Sequence, residues 1–126
     1  MDEKSIRSYR DLGVWQEAMA LAEACYRLTA TFPKEELYGM SAQIRRSAVS
    51  IAANIAEGYG REATGSCIQF LKMARGSLRE VETHLLIAER VGLAKREALE
   101  SLLLECDKIG RMLHGLIRSL QKSDDD

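Results

Sequence analysis

Six basic side chains, Arg45, Arg46, Arg61, Lys72, Arg75 and Arg79, fall between Ile44 and Arg79 against two acids, Glu57 and Glu62. Guanidinium and ammonium groups hold phosphate through charge and several N–H donors, so this basic middle is the first place to look for chemistry. On a helix Lys72, Arg75 and Arg79 share one face, a geometry that can follow a phosphate backbone. The same spacing also suits an ordinary alternative, in which these groups pair with Glu57, Glu80 and Glu82 on a solvated face. The whole chain carries net charge -1 and a pI of about 6.2. A polyanion would therefore be met by local segregation of charge and not by a global field.

Other chemistry does not assemble. No Glu-x-x-His occurs in the sequence, which excludes the di-iron carboxylate set of helical bundles. Glu80 and His84 share a helical face, but one carboxylate and one imidazole fall short of a dedicated metal site. Glu80 and Glu82 point about 200° apart on a helix and cannot act together as acid and base. Cys25, Cys67 and Cys106 lie on or beside apolar stripes, where thiols behave as small hydrophobes with raised pKa. Three cysteines cannot all pair within one chain and none sits in a Cys-x-x-Cys motif, which points to free thiols in a reducing compartment. Gly58-Tyr59-Gly60-Arg61 follows a helix and lacks the lysine-serine ending of a phosphate loop. The expectation is a protein that is not an enzyme, with no cofactor, no metal and no small-molecule substrate.

The elements that carry these residues are legible from apolar spacing. With 126 residues, 46% of them hydrophobic, and one proline, the chain is expected to form a single domain. Breaks at Phe32-Pro33, Glu57 to Arg61 and Val91-Gly92 divide it into four helix-length segments. Val14, Ala18, Leu21, Cys25 and Leu28 mark the first stripe; Leu37, Met40, Ile44, Ala48, Ile51 and Ile55 the second. Ile68, Leu71, Ala74, Leu78, Val81, Leu85 and Ala88 mark the third, and Leu99, Leu102, Cys106, Ile109, Leu113, Leu116 and Leu120 the fourth. Short connections between sequential helices predict an all-α, antiparallel up-down-up-down bundle over residues 11–121. Residues 1–10 are expected to be a flexible segment and residues 122–126 an acidic disordered tail. Pro33 suits a first helical turn with Glu35 and Glu36 beside it, Gly58 and Gly92 suit left-handed C-caps, and Ser66 with Gln69 has capping-box spacing.

Apolar faces are left over. Trp15, Met19, Ala22 and Tyr26 form a second stripe on the first helix, and Ala42, Val49, Ala53 and Ala56, with Tyr38, lie away from the main stripe of the second. This surplus predicts a homo-oligomer; a broad monomer core with Trp15 plugging one end is the alternative. A polar stripe of Gln43, Ser47, Ser50, Asn54 and Glu57 runs between those faces. It suits an interhelical hydrogen-bond seam, the lining of a groove or lumen, or a plain solvated face. No apolar run reaches the roughly 18 residues of a membrane span and Met1 to Arg10 is polar, so a cytoplasmic protein without membrane contact is expected.

Three segments carry a family resemblance: Asp11 to Ala18 (DLGVWQEA), Tyr38 to Gly58 (YGMSAQIRRSAVSIAANIAEG) and Ala74 to Glu82 (ARGSLREVE). Together they resemble the bacterial four-helix-bundle proteins encoded in intervening sequences of large-subunit ribosomal RNA genes, over nearly the whole chain. The resemblance implies a non-catalytic homopentamer whose partner is nucleic acid or a nucleoprotein. The chain is also similar to the accessory variability proteins of diversity-generating retroelements, but does not share their strongly basic character. Two functions stay open: a nucleic-acid or ribonucleoprotein accessory factor using the central arginines, and a structural or protein-interaction oligomer without nucleic-acid contact.

Overall fold

Residues 7–125 are described in a computed structural model of the chain. They form four α-helices, α1 (Gly13–Thr29), α2 (Met40–Tyr59), α3 (Thr64–Arg90) and α4 (Arg96–Asp125), with no strand among the described residues. Sequential helices pack on one another and α4 closes against α1, so the bundle has the cyclic order α1–α2–α3–α4. Each apolar stripe faces inward: Leu21, Ile44, Ile51, Ile55, Leu71, Leu78, Leu85, Leu99, Ile109 and Leu113 are almost wholly removed from solvent. Burial of each such side chain contributes roughly 1.5–3 kcal/mol, which outweighs modest differences in helix propensity. Leu28, Met40, Leu116 and Leu120 sit half-buried at the margins of the core.

The helix ends differ from the sequence expectation at several points. The second helix starts at Met40, not near Pro33. Pro33 is extended and Gly39 takes non-helical angles, so Lys34–Glu36 form an isolated 3-10 turn and Leu37 and Tyr38 lie exposed in the connection. Glu36 nonetheless serves α2, its Oε1 accepting from the Met40 N–H at 3.2 Å. Ser66 and Gln69 form no capping box, because α3 already begins at Thr64 after Ala63. Gly92 does take the left-handed conformation, φ 84°, and Leu93 N–H returns to the Ala88 carbonyl at 2.8 Å. In place of a fraying tail from Lys122, α4 continues through Asp125, while Asp126 and residues 1–6 lie outside the described residues. Part of the expected flexible segment is also ordered, since Ser8 and Asp11 cap the turn Tyr9–Asp11 reciprocally.

Gly58 is a packing residue and not a cap. It is buried inside the last turn of α2, and the cap is Gly60, in right-handed conformation. A Cβ at Gly58 would stand 3.1 Å from Phe70 Cβ and 3.2 Å from the Cys67 carbonyl oxygen. The missing side chain is what lets α2 and α3 approach here. Gly115, by contrast, has nothing within 4 Å of its Cβ position. Urea unfolding should accordingly find Gly58→Ala destabilised by about 1–3 kcal/mol through overpacking, and Gly115→Ala stabilised by roughly 0.5–1 kcal/mol through helix propensity. Equal effects at the two glycines would contradict the close approach.

Candidate nucleic-acid interface

Between α3 and α4 the surface opens into a groove of about 690 Å³. Lys72, Arg75 and Arg79 project from α3 along one wall, while Asp107, Arg111 and His114 line the α4 side. Gly76 and Gly110 lie between them; a Cβ at Gly76 would meet nothing within 4 Å, so the centre of the groove is left open to an incoming group. A second hollow continues along α4 from His114 past Gly115 to Arg118 and Lys122. Seven residues separate Lys72 from Arg79, which spans about 10 Å of helix. Successive cations a helical turn or less apart can make several contacts with one stretch of polynucleotide backbone.

The cations differ in their engagement. Arg79 Nη1 bonds Glu82 Oε1 at 3.0 Å, and Arg111 pairs with Asp107 one turn away. Both pairs are exposed on helix surfaces, where such contacts contribute little and yield readily to a stronger anion. Among the described residues, neither Lys72 nor Arg75 has a carboxylate within 4.0 Å. The ordinary alternative, pairing with Glu57, Glu80 and Glu82, thus holds in part: Arg79 pairs with Glu82 on its own helix and Arg61 with Glu57, while Lys72 and Arg75 take none of these acids.

The remaining sequence candidates lie elsewhere. Arg45 is half-buried at the α1–α2 contact, its Nε donating to Thr29 Oγ1 at 2.8 Å and its guanidinium 4.8 Å from the centre of the Tyr26 ring. Arg61 sits at the α2–α3 connection, over Phe70 and paired with Glu57 at 2.8 Å. Arg46 is exposed on α2. The six basic residues therefore occupy separate places, and only three of them meet in the groove. Arg111, His114 and Arg118 were missed. Their three-and-four spacing on α4 was the available signal.

The polar stripe also divides. Ser50 Oγ and Ser77 Oγ share a hydrogen bond of 2.9 Å across α2 and α3, and Asn54 Nδ2 donates to Ser50. Ser47 is buried but turns back on the carbonyls of its own helix, while Gln43 and Glu57 are exposed. Of the surplus apolar residues, Met19, Tyr26 and Val49 rim a hollow of about 480 Å³ between α1 and α2, with Ala22 and Ala52 at its floor. Trp15 is half-buried on the core and meets the Tyr9 ring edge-on at 5.3 Å. Ala42 and Ala56 are half-buried and Ala53 is exposed; Tyr38, 92% exposed, is not on α2 at all.

One further cluster joins α1 to α4. Lys108 Nζ donates to Glu17 Oε2 at 3.2 Å, and Glu105 Oε2 is buried with no donor facing it. Burial, and then the neighbouring Glu17 carboxylate, push the Glu105 carboxyl up to about 7. Glu17 is held below the ordinary carboxylate range by hydrogen bonding to Glu105 and Lys108. A proton on Glu105 supplies the missing donor, so the two carboxyls share it. Burial likewise pushes the Cys25 and Cys106 thiols up to about 12 and raises that of Cys67. Among the described residues, no three His, Cys, Asp or Glu side chains converge as a metal site, and no helix is long and apolar enough to cross a membrane.

Residues 10–115 match the family of the 23S rRNA-intervening sequence protein. The chain belongs to that family. A solved structure of a protein with unknown function from the S23 ribosomal protein family of Bacteroides thetaiotaomicron is similar, with a TM-score of 0.75 and 27% identity. The likeness covers 82% of this chain and 97% of that one. No curated protein matches the sequence. Membership of the 23S rRNA-intervening sequence family agrees with the resemblance read from DLGVWQEA and QIRRSAVSIAANIAEG, and the four-helix frame agrees with the bundle expected from it.

The shared proton gives stability a pH dependence. Glu105 titrates near 4.5 when unfolded and near 7 when folded, so its contribution is present in full below about pH 4.5 and is lost as pH rises through about 7. The depressed Glu17 acts in the opposite sense, below its ordinary value, and leaves this window untouched. Thermal unfolding between about pH 5 and pH 8 should show Glu105→Gln gaining stability relative to wild type as pH rises. Parallel curves for the two proteins would contradict the shared proton.

Proposed function

We propose that this 23S rRNA-intervening sequence family protein is a non-catalytic, oligomeric accessory factor that holds RNA, free or in a ribonucleoprotein, along its α3–α4 groove. The observation that carries this reading is the convergence of Lys72, Arg75 and Arg79 with Arg111 and His114 across a centre left open by Gly76 and Gly110. Phosphates bind by replacing weak surface ion pairs and by releasing counterions, so cations at helical spacing suffice without any base-specific pocket. The near-neutral chain confines that attraction to the groove. The bundle in this reading is antiparallel, up-down-up-down, cytoplasmic and free of cofactor. Five copies form the assembly, which repeats the groove and multiplies weak contacts on one polymer.

Two measurements test it. Light scattering should give about five times the 14.1 kDa chain mass, and a monomer at micromolar concentration would overturn the assembly. Filter binding of structured and single-stranded RNA should give an affinity that falls steeply with salt. The double variant Arg75→Ala/Arg79→Ala should flatten the log–log slope by about 1.5–2 per groove engaged, as two phosphate contacts are lost. Arg46→Ala, outside the groove, should leave the slope unchanged. Equal binding by wild type and double variant, or none by either, would favour a protein-interaction oligomer instead.

A further inference from the structure

Arginine and lysine side chains keep their charge at every pH near neutrality, whereas an imidazole gains and loses its charge between about pH 5 and pH 8. The α3–α4 groove contains one of each kind of group. His114 stands where the groove meets the second hollow along α4, and it lines both. Arg111 precedes it by three residues and Arg118 follows it by four, which makes both its neighbours on one helical face. From α3, Lys72, Arg75 and Arg79 face the same space, and Lys122 borders the second hollow. Asp107, the acid that lines the groove, is paired with Arg111. The imidazole itself is exposed, and among the described residues no carboxylate lies within 4.0 Å of it.

A phosphate drawn in by the surrounding cations arrives within reach of this ring. Its oxygens favour the charged imidazolium, which donates from both ring nitrogens, over the neutral form, which donates from one. No acid of the protein already supplies that stabilisation, so the difference between free and bound protein is retained. The complex therefore holds the proton more tightly than the free protein does. By linkage, affinity for the polyanion rises as pH falls through the imidazole range.

We propose that His114 couples RNA binding to proton uptake, its imidazolium joining the cations that hold the phosphates, so that the groove tightens on RNA as pH falls from about 8 to about 6. This rests on the groove of the proposed function and adds its regulation. One proton from solvent goes onto a His114 ring nitrogen for each groove filled, and no bond of the RNA changes. The assignment is sharp because the chain has two histidines. The other, His84, is half-buried on α3 and lines neither hollow. Glu105, whose carboxyl burial pushes up to about 7, also lies outside both linings. Either group can therefore be changed without touching the groove.

Filter binding at about pH 6 and about pH 8 tests the coupling, with a short RNA whose ends are hydroxyls, because a terminal phosphate would itself titrate near pH 6. Wild type should bind about three- to tenfold more tightly at the lower pH, the change expected when one group's proton affinity differs by up to about one unit between free and bound protein. Its log–log salt slope should also steepen there by about 0.7–0.9, as one more phosphate is neutralised. His114→Gln should bind equally at the two pH values. His114→Arg, charged throughout, should show near pH 8 the slope that wild type shows near pH 6. His84→Gln and Glu105→Gln should keep the wild-type pH dependence. If wild type binds RNA without pH dependence, or His114→Gln retains it, the coupling is overturned and the groove stands; no RNA binding at either pH would overturn both. As a second measurement, nuclear magnetic resonance of the ring nitrogens at about pH 7 should show added RNA moving His114 toward the imidazolium form and leaving His84 in place. A His114 ring that stays neutral in the complex would overturn the coupling.

Discussion

The close approach of α2 to α3 sets the frame on which everything else depends. Gly58 brings the helix backbones together against Phe70 and the Cys67 carbonyl, and the Ser50–Ser77 hydrogen bond fixes their register farther along. Apolar stripes alone tolerate sliding and rotation, because hydrophobic burial has no direction. A glycine contact and a half-buried hydroxyl pair do not, since one clashes and the other loses its partner when the register changes. With α3 so held, Lys72, Arg75 and Arg79 face outward beside α4, and Leu71, Leu78 and Leu85 face the core.

The division of labour among the charges follows from that frame. Arg45 and Arg61 belong to the basic set read from the sequence, yet both are engaged: one on Thr29 and Tyr26, the other on Glu57 and Phe70. They stitch the helix ends together. Lys72 and Arg75 have no such duties among the described residues, and the acids near Arg79 and Arg111 are a turn or less away on the same helices. A protein of net charge -1 can hold a polyanion only where its cations are collected and lightly paired, and the α3–α4 groove is the place where both conditions meet.

Much of this was legible in the sequence, and the rest was hidden for identifiable reasons. Ile44, Ile51 and Ile55, or Leu78, Val81 and Leu85, are spaced so regularly that their burial follows from helical period alone, and the left-handed Gly92 follows from its place after Arg90-Val91. Gly58 misled because a glycine near a helix end suits a cap and a crossing equally, and only the neighbouring helix decides. Leu37 and Tyr38 misled because periodicity ran on through Gly39, where the backbone breaks. The basic set was gathered along the chain and not in space, which grouped Arg45 and Arg61 with α3 cations from which they stand apart. Arg111, His114 and Arg118 belong to that face through helix pairing, a relation that a single stripe does not encode.

The central claim is that RNA lies along the α3–α4 groove. Ultraviolet cross-linking of bound RNA to the unmodified protein, with the nucleotide-bearing peptides mapped by mass spectrometry, addresses it most directly. Adducts concentrated on peptides spanning residues 72–79 and 107–118 are the predicted result. Adducts confined to α1 and α2, or spread evenly over the surface, would contradict it.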